Sequence, residues 1–99
     1  MFCVYMLRCA DRSFYTGHTD NLEIRLSQHE QGTFPDCYTF QRRPLQLVYV
    51  QEFSSRDEAF QMERRIKGWN RAKKTALIEG DWNEISRISR FKYGRKEDV

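Results

Sequence analysis

The stretch that decides the fold is Phe2-Cys3-Val4-Tyr5-Met6-Leu7-Arg8-Cys9, followed by Ala10-Asp11-Arg12 and then Ser13-Phe14-Tyr15-Thr16-Gly17. Residues 2–9 are rich in β-branched and aromatic side chains and predict a strand. Phe2, Val4 and Met6 fall on one face and Cys3, Tyr5 and Leu7 on the other. Both faces are apolar, as in a central strand buried on each side. The short polar turn makes residues 13–18 its hairpin partner. Gly17 ends that partner, where a missing side chain lets a backbone or a ligand come close.

Working outward, Thr19 or Asp20 is expected to cap a helix over 21–31, with Asp20 and Glu23 at capping-box spacing and Gly32 as its stop. Leu22, Leu26 and His29 share its buried stripe. Arg25 stands beside His29 at i, i+4. Residues 32–44 carry Gly32, Pro35, Asp36 and Pro44 and predict a loop. Leu45 to Phe53 predicts a third strand. Ser55 and Glu58 form a capping box for a second helix, whose stripe is Ala59, Met62, Ile66 and Trp69.

Glu63 falls in that same stripe. A carboxylate on an apolar face is costly unless it is paired or bound to a metal. A salt bridge to Arg64, Arg65 or Lys67 is one reading and a functional role is the other. Gly68-Trp69-Asn70 breaks the helix, and Asn70 caps a third one over 71–79, closed by Gly80. Asp81 and Glu84 start a short amphipathic helix carrying Trp82, Ile85, Ile88 and Phe91. The order β-β-α-β-α-α, with a short C-terminal helix, predicts an α+β fold with a three-stranded, largely antiparallel sheet flanked by helices. One domain is expected over residues 1–91, with a polar tail over 92–99.

The composition fits this reading. The chain has 99 residues, 39% hydrophobic and 31% charged, which suits a folded domain with one modest core. No apolar run approaches the ~20 residues of a membrane span, and no leader pattern opens the chain, so a cytoplasmic protein is expected. Cys3, Cys9 and Cys37 make no C-x-x-C pair and read as reduced thiols. The net charge is +3. Its distribution is more telling: Arg64, Arg65, Lys67, Arg71, Lys73 and Lys74 follow one another with no acid between them, and Arg87, Arg90, Lys92, Arg95 and Lys96 make a second run. Clustered charge of one sign suits a polyphosphate partner, and also a solvated helix face.

The sequence has no serine nucleophile motif, no glycine-rich phosphate loop and no His/Cys metal cluster. What it pools is two tyrosines, an arginine, a histidine, a glutamate and a basic helix face. Hydrolysis of a phosphodiester needs a base for water, a cation over the developing charge and a metal at the leaving oxygen. Val4-Tyr5-Met6, Tyr15-Thr16-Gly17 ten residues on, then Arg25, His29 and Glu63 resemble the GIY-YIG nuclease family, and its small single-domain bacterial branch in particular. The resemblance covers residues 2–79. Val4 and Met6 depart from the Gly and Ile of its first motif, and Thr16 from the Ile of its second.

The resemblance implies catalytic roles for Tyr5, Tyr15, Arg25 and His29. Tyr5 is the expected base, His29 its proton relay, Tyr15 the group that orients water or phosphate, and Arg25 the cation on the scissile phosphate. It implies Glu63 as ligand of one Mg²⁺ (or Mn²⁺) ion. Nucleic-acid contacts are expected from Arg8, Gly17, Arg64, Lys67, Arg71, Lys73 and Lys74. The implied function is a metal-dependent endonuclease acting on DNA, in repair or recombination. The alternative is a nucleic-acid-binding module that uses the basic helix face without catalysis, or a small interaction protein docking through Trp82, Ile85, Ile88 and Phe91. A monomer is expected, with at most a weak dimer.

Overall fold

The structure is a computed structural model and describes residues 1–87. The backbone divides into two compact units, Met1–Lys67 and Gly68–Val99.

The first unit is built on β1 (Phe2–Arg8), β2 (Phe14–Thr19) and β3 (Gln46–Phe53), in the spatial order β2-β1-β3. Both pairings are antiparallel. The doubly apolar pattern of residues 2–9 is thus satisfied in the middle of the sheet: Cys3, Val4, Tyr5, Met6 and Leu7 are all buried. Register sorts the side chains. Tyr5 pairs with Gly17 and Leu7 with Tyr15, so these share a face with Cys3 and Thr19. Val4 pairs with His18 and Met6 with Thr16 on the other face. The register with β3 shifts between Met6 and Leu7.

The hairpin turn is held by Asp11, whose Oδ1 accepts from Ser13 N at 3.0 Å and from Ser13 Oγ at 2.5 Å. Arg12 takes the left-handed conformation there, with φ 72°.

Helix α1 (Leu22–Gln31) covers the Tyr5 face. Its cap is Asn21, not Thr19 or Asp20: Asn21 Oδ1 accepts from Ile24 N at 3.1 Å. Thr19 Oγ1 instead accepts from Asn21 N at 3.1 Å, which presents Asn21 as the capping residue. Gly32 closes the helix with φ 68°, as expected. Of the predicted stripe only His29 is fully buried, while Leu22 and Leu26 are half-buried. The loop that follows contains a 3₁₀ turn, Phe40–Arg42.

Helix α2 (Arg56–Lys67) packs on the opposite face through Ala59, Glu63 and Ile66. Ser55 caps it by accepting from Glu58 N at 3.2 Å, and returns a bond to Glu58 Oε1 at 3.3 Å. Trp69 lies beyond the end of this helix, so the expected stripe stops at Ile66.

In the second unit α3 (Arg71–Glu79) has the predicted bounds, with Gly80 in the left-handed conformation after it. Asn70 Oδ1 accepts from Lys73 N at 2.8 Å. Removing that acceptor in Asn70→Ala is expected to cost about 1 kcal/mol, seen as a lower urea midpoint with an unchanged slope. Residues 82–87 are helical, and Glu84 N donates to Asp81 Oδ1 at 3.0 Å as the capping box predicts. Ile85 is buried but Trp82 is 59% exposed. Ile88, Phe91, the basic residues beyond Arg87 and the expected tail lie outside the described residues. Among the described residues no helix is long and apolar enough to cross a membrane.

Candidate active site

Tyr5 projects from the middle strand onto the α1 face. It can do so because Gly17 stands opposite: a Cβ there would lie 2.6 Å from the Tyr5 hydroxyl. The gap that the sequence reserves for a ligand or a second backbone is therefore filled by Tyr5 itself.

The Tyr5 hydroxyl and His29 Nε2 share a buried hydrogen bond of 2.9 Å. The His29 Nδ1 lies 2.8 Å from Thr39 Oγ1. Thr39 Oγ1 reaches Cys37 Sγ at 3.5 Å. Tyr15 packs edge-on against His29 with ring centres 5.1 Å apart, and 6.2 Å from Tyr5. Its hydroxyl hydrogen-bonds Cys37. Its other neighbour is Tyr38, stacked at 6.3 Å. Arg25 is half-buried one helical turn before His29, with its guanidinium 5.9 Å from the Phe34 ring centre.

Burial and charge set the protonation states. Tyr5 is 1% exposed. Its pKa is pushed well above the usual phenol range by burial and by Tyr15, against the opposing pull of Arg25. Tyr15 is raised too, by burial first and by Cys37. His29 is lowered by burial and by the Arg25 charge. The site at neutral pH therefore holds two phenols and a neutral imidazole. For Cys37, burial pushes the thiol up, but hydrogen bonds from Thr39 and Tyr15 and the Arg25 charge outweigh it and leave it below the ordinary value.

Glu63 comes from the other face. His18 follows Gly17 on β2 and so points away from Tyr5, toward α2. Its Nδ1 bonds Glu63 Oε1, and its ring meets Phe60 edge-on at 5.5 Å. Lys67 Nζ lies 2.6 Å from Glu63 Oε2, the salt bridge weighed from sequence. Burial raises the Glu63 pKa, yet Lys67 and His18 together bring it below the usual carboxylate value. The Glu63 charge is also among the groups that raise Tyr5 and Tyr15.

The loop carrying Cys37 and Thr39 is tied to the hairpin turn. Ala10 N donates to the Arg42 carbonyl at 2.8 Å. Arg42 Nε donates to Asp11 Oδ2 at 3.0 Å, and Nη1 to the Tyr38 carbonyl at 2.8 Å. The Arg42 guanidinium lies 3.8 Å from the Tyr38 ring centre.

A model of the GIY-YIG catalytic domain matches residues 1–76. The chain belongs to the GIY-YIG family. Within it, the chain is 50% identical over 76 residues to a UPF0213 protein of Oceanobacillus iheyensis, covering 77% of this chain and 87% of that one. A UPF0213 protein of Natronomonas pharaonis is 44% identical over 75 residues, with 76% of this chain and 87% of that one covered. The solution NMR structure of a UPF0213 protein from Bacillus halodurans is similar with a TM-score of 0.53 and 34% identity, over 90% of this chain and 98% of that one. The names of these relatives state no activity.

Of the residues singled out from sequence, Tyr5, Tyr15, Arg25 and His29 are gathered on one face of the GIY-YIG sheet, and Glu63 stands on the other. Arg8 is exposed and donates to Gln46 Oε1 at 3.1 Å. Arg64 lies 5.7 Å from the Phe60 ring centre, and Lys67 is engaged by Glu63. In the second unit Lys73 Nζ lies 4.3 Å from the Trp69 ring centre. Burial and the nearby Arg71 lower the Lys74 pKa.

Sequence reasoning missed His18, Thr39 and Cys37. His18 carried a usable signal: one step after Gly17 puts it on the face that the second helix must cover. Thr39 and Cys37 sit in a loop without periodicity, where nothing marks them.

Proposed function

We propose that this protein is a Mg²⁺- or Mn²⁺-dependent endonuclease that hydrolyses phosphodiester bonds in DNA. The observation that carries this reading is the buried hydrogen bond between Tyr5 and a neutral His29. Family membership supports it. A phenol with a raised pKa is not a phenolate at neutral pH, so it works as a base only if its own proton leaves as it takes another. His29 Nε2 is placed to accept that proton. In this scheme a water oxygen attacks phosphorus while its proton passes to Tyr5 and the Tyr5 proton passes to His29. The bond from phosphorus to the sugar oxygen breaks, and the released oxygen takes a proton from bulk water. Tyr15, half-buried beside this pair, orients the water or the phosphate. Arg25 offers a planar fork to the phosphate oxygens.

The residues fit a single-carboxylate metal site. Glu63 is ionised, with Oε1 on His18 Nδ1 and Oε2 on Lys67 Nζ, so an ion would take the place of one of these partners. A Mg²⁺ ion, which keeps several of its waters, would be held by that one carboxylate. Lys67 is exposed, and its ammonium is the partner that the ion would displace. When bound, the ion neutralises charge on the phosphate and the leaving oxygen.

The test is incubation with plasmid, single-stranded and branched DNA in Mg²⁺, Mn²⁺ or EDTA. Wild-type protein is run beside Arg25→Ala to expose any contaminating nuclease. Cleavage is expected with a metal and not with EDTA, and Arg25→Ala is expected to be slower by about 10²-fold. Salt-sensitive DNA binding with no cleavage of any substrate overturns the proposal and leaves a non-catalytic binding module.

A further inference from the structure

We propose that Thr39 is a positioning residue that holds His29 as its Nδ1–H tautomer, keeping Nε2 free to take the Tyr5 proton. The inference deepens the nuclease reading and rests on it for its kinetic half.

The geometry is a chain of hydrogen bonds across the site: Tyr5 hydroxyl, His29, Thr39 and Cys37. The Tyr5 to His29 and His29 to Thr39 links are 2.9 and 2.8 Å. Thr39 is 1% exposed, so its hydroxyl has its partners within the protein. A hydroxyl has one proton to give and lone pairs to accept with. Cys37 Sγ gathers donors: the Thr39 hydroxyl at 3.5 Å, the Thr39 backbone N–H and the Tyr15 hydroxyl. With its proton on the sulfur, Thr39 accepts from His29 Nδ1–H. The imidazole is neutral, so its other nitrogen is then a bare acceptor facing Tyr5. An imidazole in the other tautomer would offer a proton to Tyr5 and leave the phenol with nowhere to send its own.

Thr39 is fit to do this because its turn is held from two sides. Arg43, which follows the turn, donates from Nη1 to the Glu30 carbonyl of α1 at 3.1 Å. Thr39 opens the 3₁₀ turn, whose Arg42 is bonded to Ala10 and Asp11 of the hairpin turn. His29 therefore sits between two anchors on different segments. Second partners of this kind fix ring orientation and tautomer wherever a histidine must present one chosen nitrogen. The titratable and charged groups around His29 are Tyr5 from β1, Tyr15 from β2, Arg25 from α1 and Cys37 from the loop.

Thr39→Val keeps the shape and loses the hydroxyl, and Thr39→Ser keeps the hydroxyl. The two are compared with wild type by ¹⁵N NMR of histidine-labelled protein, with His18→Gln used to assign the two histidines. Wild type and Thr39→Ser are expected to show His29 protonated at Nδ1. Thr39→Val is expected to show the Nε2–H form or a mixture. In cleavage assays Thr39→Val is expected to lower kcat by about 10²-fold with KM little changed, and Thr39→Ser to restore most of it. A wild-type His29 protonated at Nε2 overturns the proposal. So does a folded Thr39→Val that keeps either the wild-type tautomer or the wild-type kcat. If wild type cleaves nothing, the nuclease reading fails, while the NMR comparison still decides what Thr39 does.

Discussion

Tyr5→Phe is expected to slow phosphodiester cleavage by about 10²-fold or more while leaving a folded protein, because it deletes one hydroxyl from a ring whose packing is otherwise kept. The ring lies against Gly17 and between Tyr15 and His29, and phenylalanine retains those contacts. What disappears is the partner of His29 Nε2. A buried acceptor without its donor costs about 1–3 kcal/mol, so a modest fall in thermal midpoint should accompany the kinetic loss. Rates must therefore be taken per folded protein. The wild-type pH profile sharpens the expectation. His29 has to be neutral to accept a proton, and burial with Arg25 nearby lowers its pKa. Activity should consequently survive acidification past the ordinary histidine value of about 6.5 and decline only below it. A profile that falls at or above that value, or a Tyr5→Phe protein that cuts at the wild-type rate, contradicts the Tyr5–His29 relay.

Glu63→Gln is expected to reduce metal-dependent cleavage by about 10²-fold and to change the acid stability of the protein in a distinct way. The substitution is nearly isosteric, but it removes the charge that pairs with Lys67, accepts from His18 and would hold the metal. The sign of the stability effect follows from the lowered pKa of Glu63. The folded state prefers the ionised form, so this contribution is fully present above the ordinary value of 4.5. It is lost as pH falls through the lower folded value. Urea midpoints measured down that range should show wild type losing stability that Glu63→Gln never had. If Glu63 were only a structural ion pair, the stability difference would appear without a loss of rate per folded molecule. Calorimetric titration with Mn²⁺ separates the two cases, since the glutamine variant should lose the heat of binding.

The fold was legible because its signals were redundant. Residues 2–9 are apolar on both faces, which suits only a middle strand. Ser55 with Glu58, Asn70 with Gly80, and Asp81 with Glu84 each marked a helix start or end by chemistry that the structure repeats. The first helix was misjudged at its start because three capping residues stand in a row, and the Thr19 hydroxyl is spent on Asn21 rather than on the helix. Half of the site was legible by spacing: Tyr5, Tyr15, Arg25 and His29 lie on consecutive elements that touch. The remainder depends on contacts between segments far apart in the chain. His18 meets Glu63 across forty-five positions, and no local pattern announces such a pairing. Thr39 needed the path of a loop, and a loop's path is fixed by bonds such as Arg42 to Asp11 rather than by periodicity.

That strap of Arg42 carries a consequence for the outer surface. Asp11 is exposed and has no chemistry of its own in the site, yet it grips the residue that ends the turn behind Thr39. The hairpin tip and the loop are consequently joined by a backbone bond and an ion pair, with the imidazole seated behind them. A change of residue at the tip would be transmitted inward as a change of alignment rather than of charge. An exposed carboxylate is in this sense a tuning screw for buried hydrogen bonds.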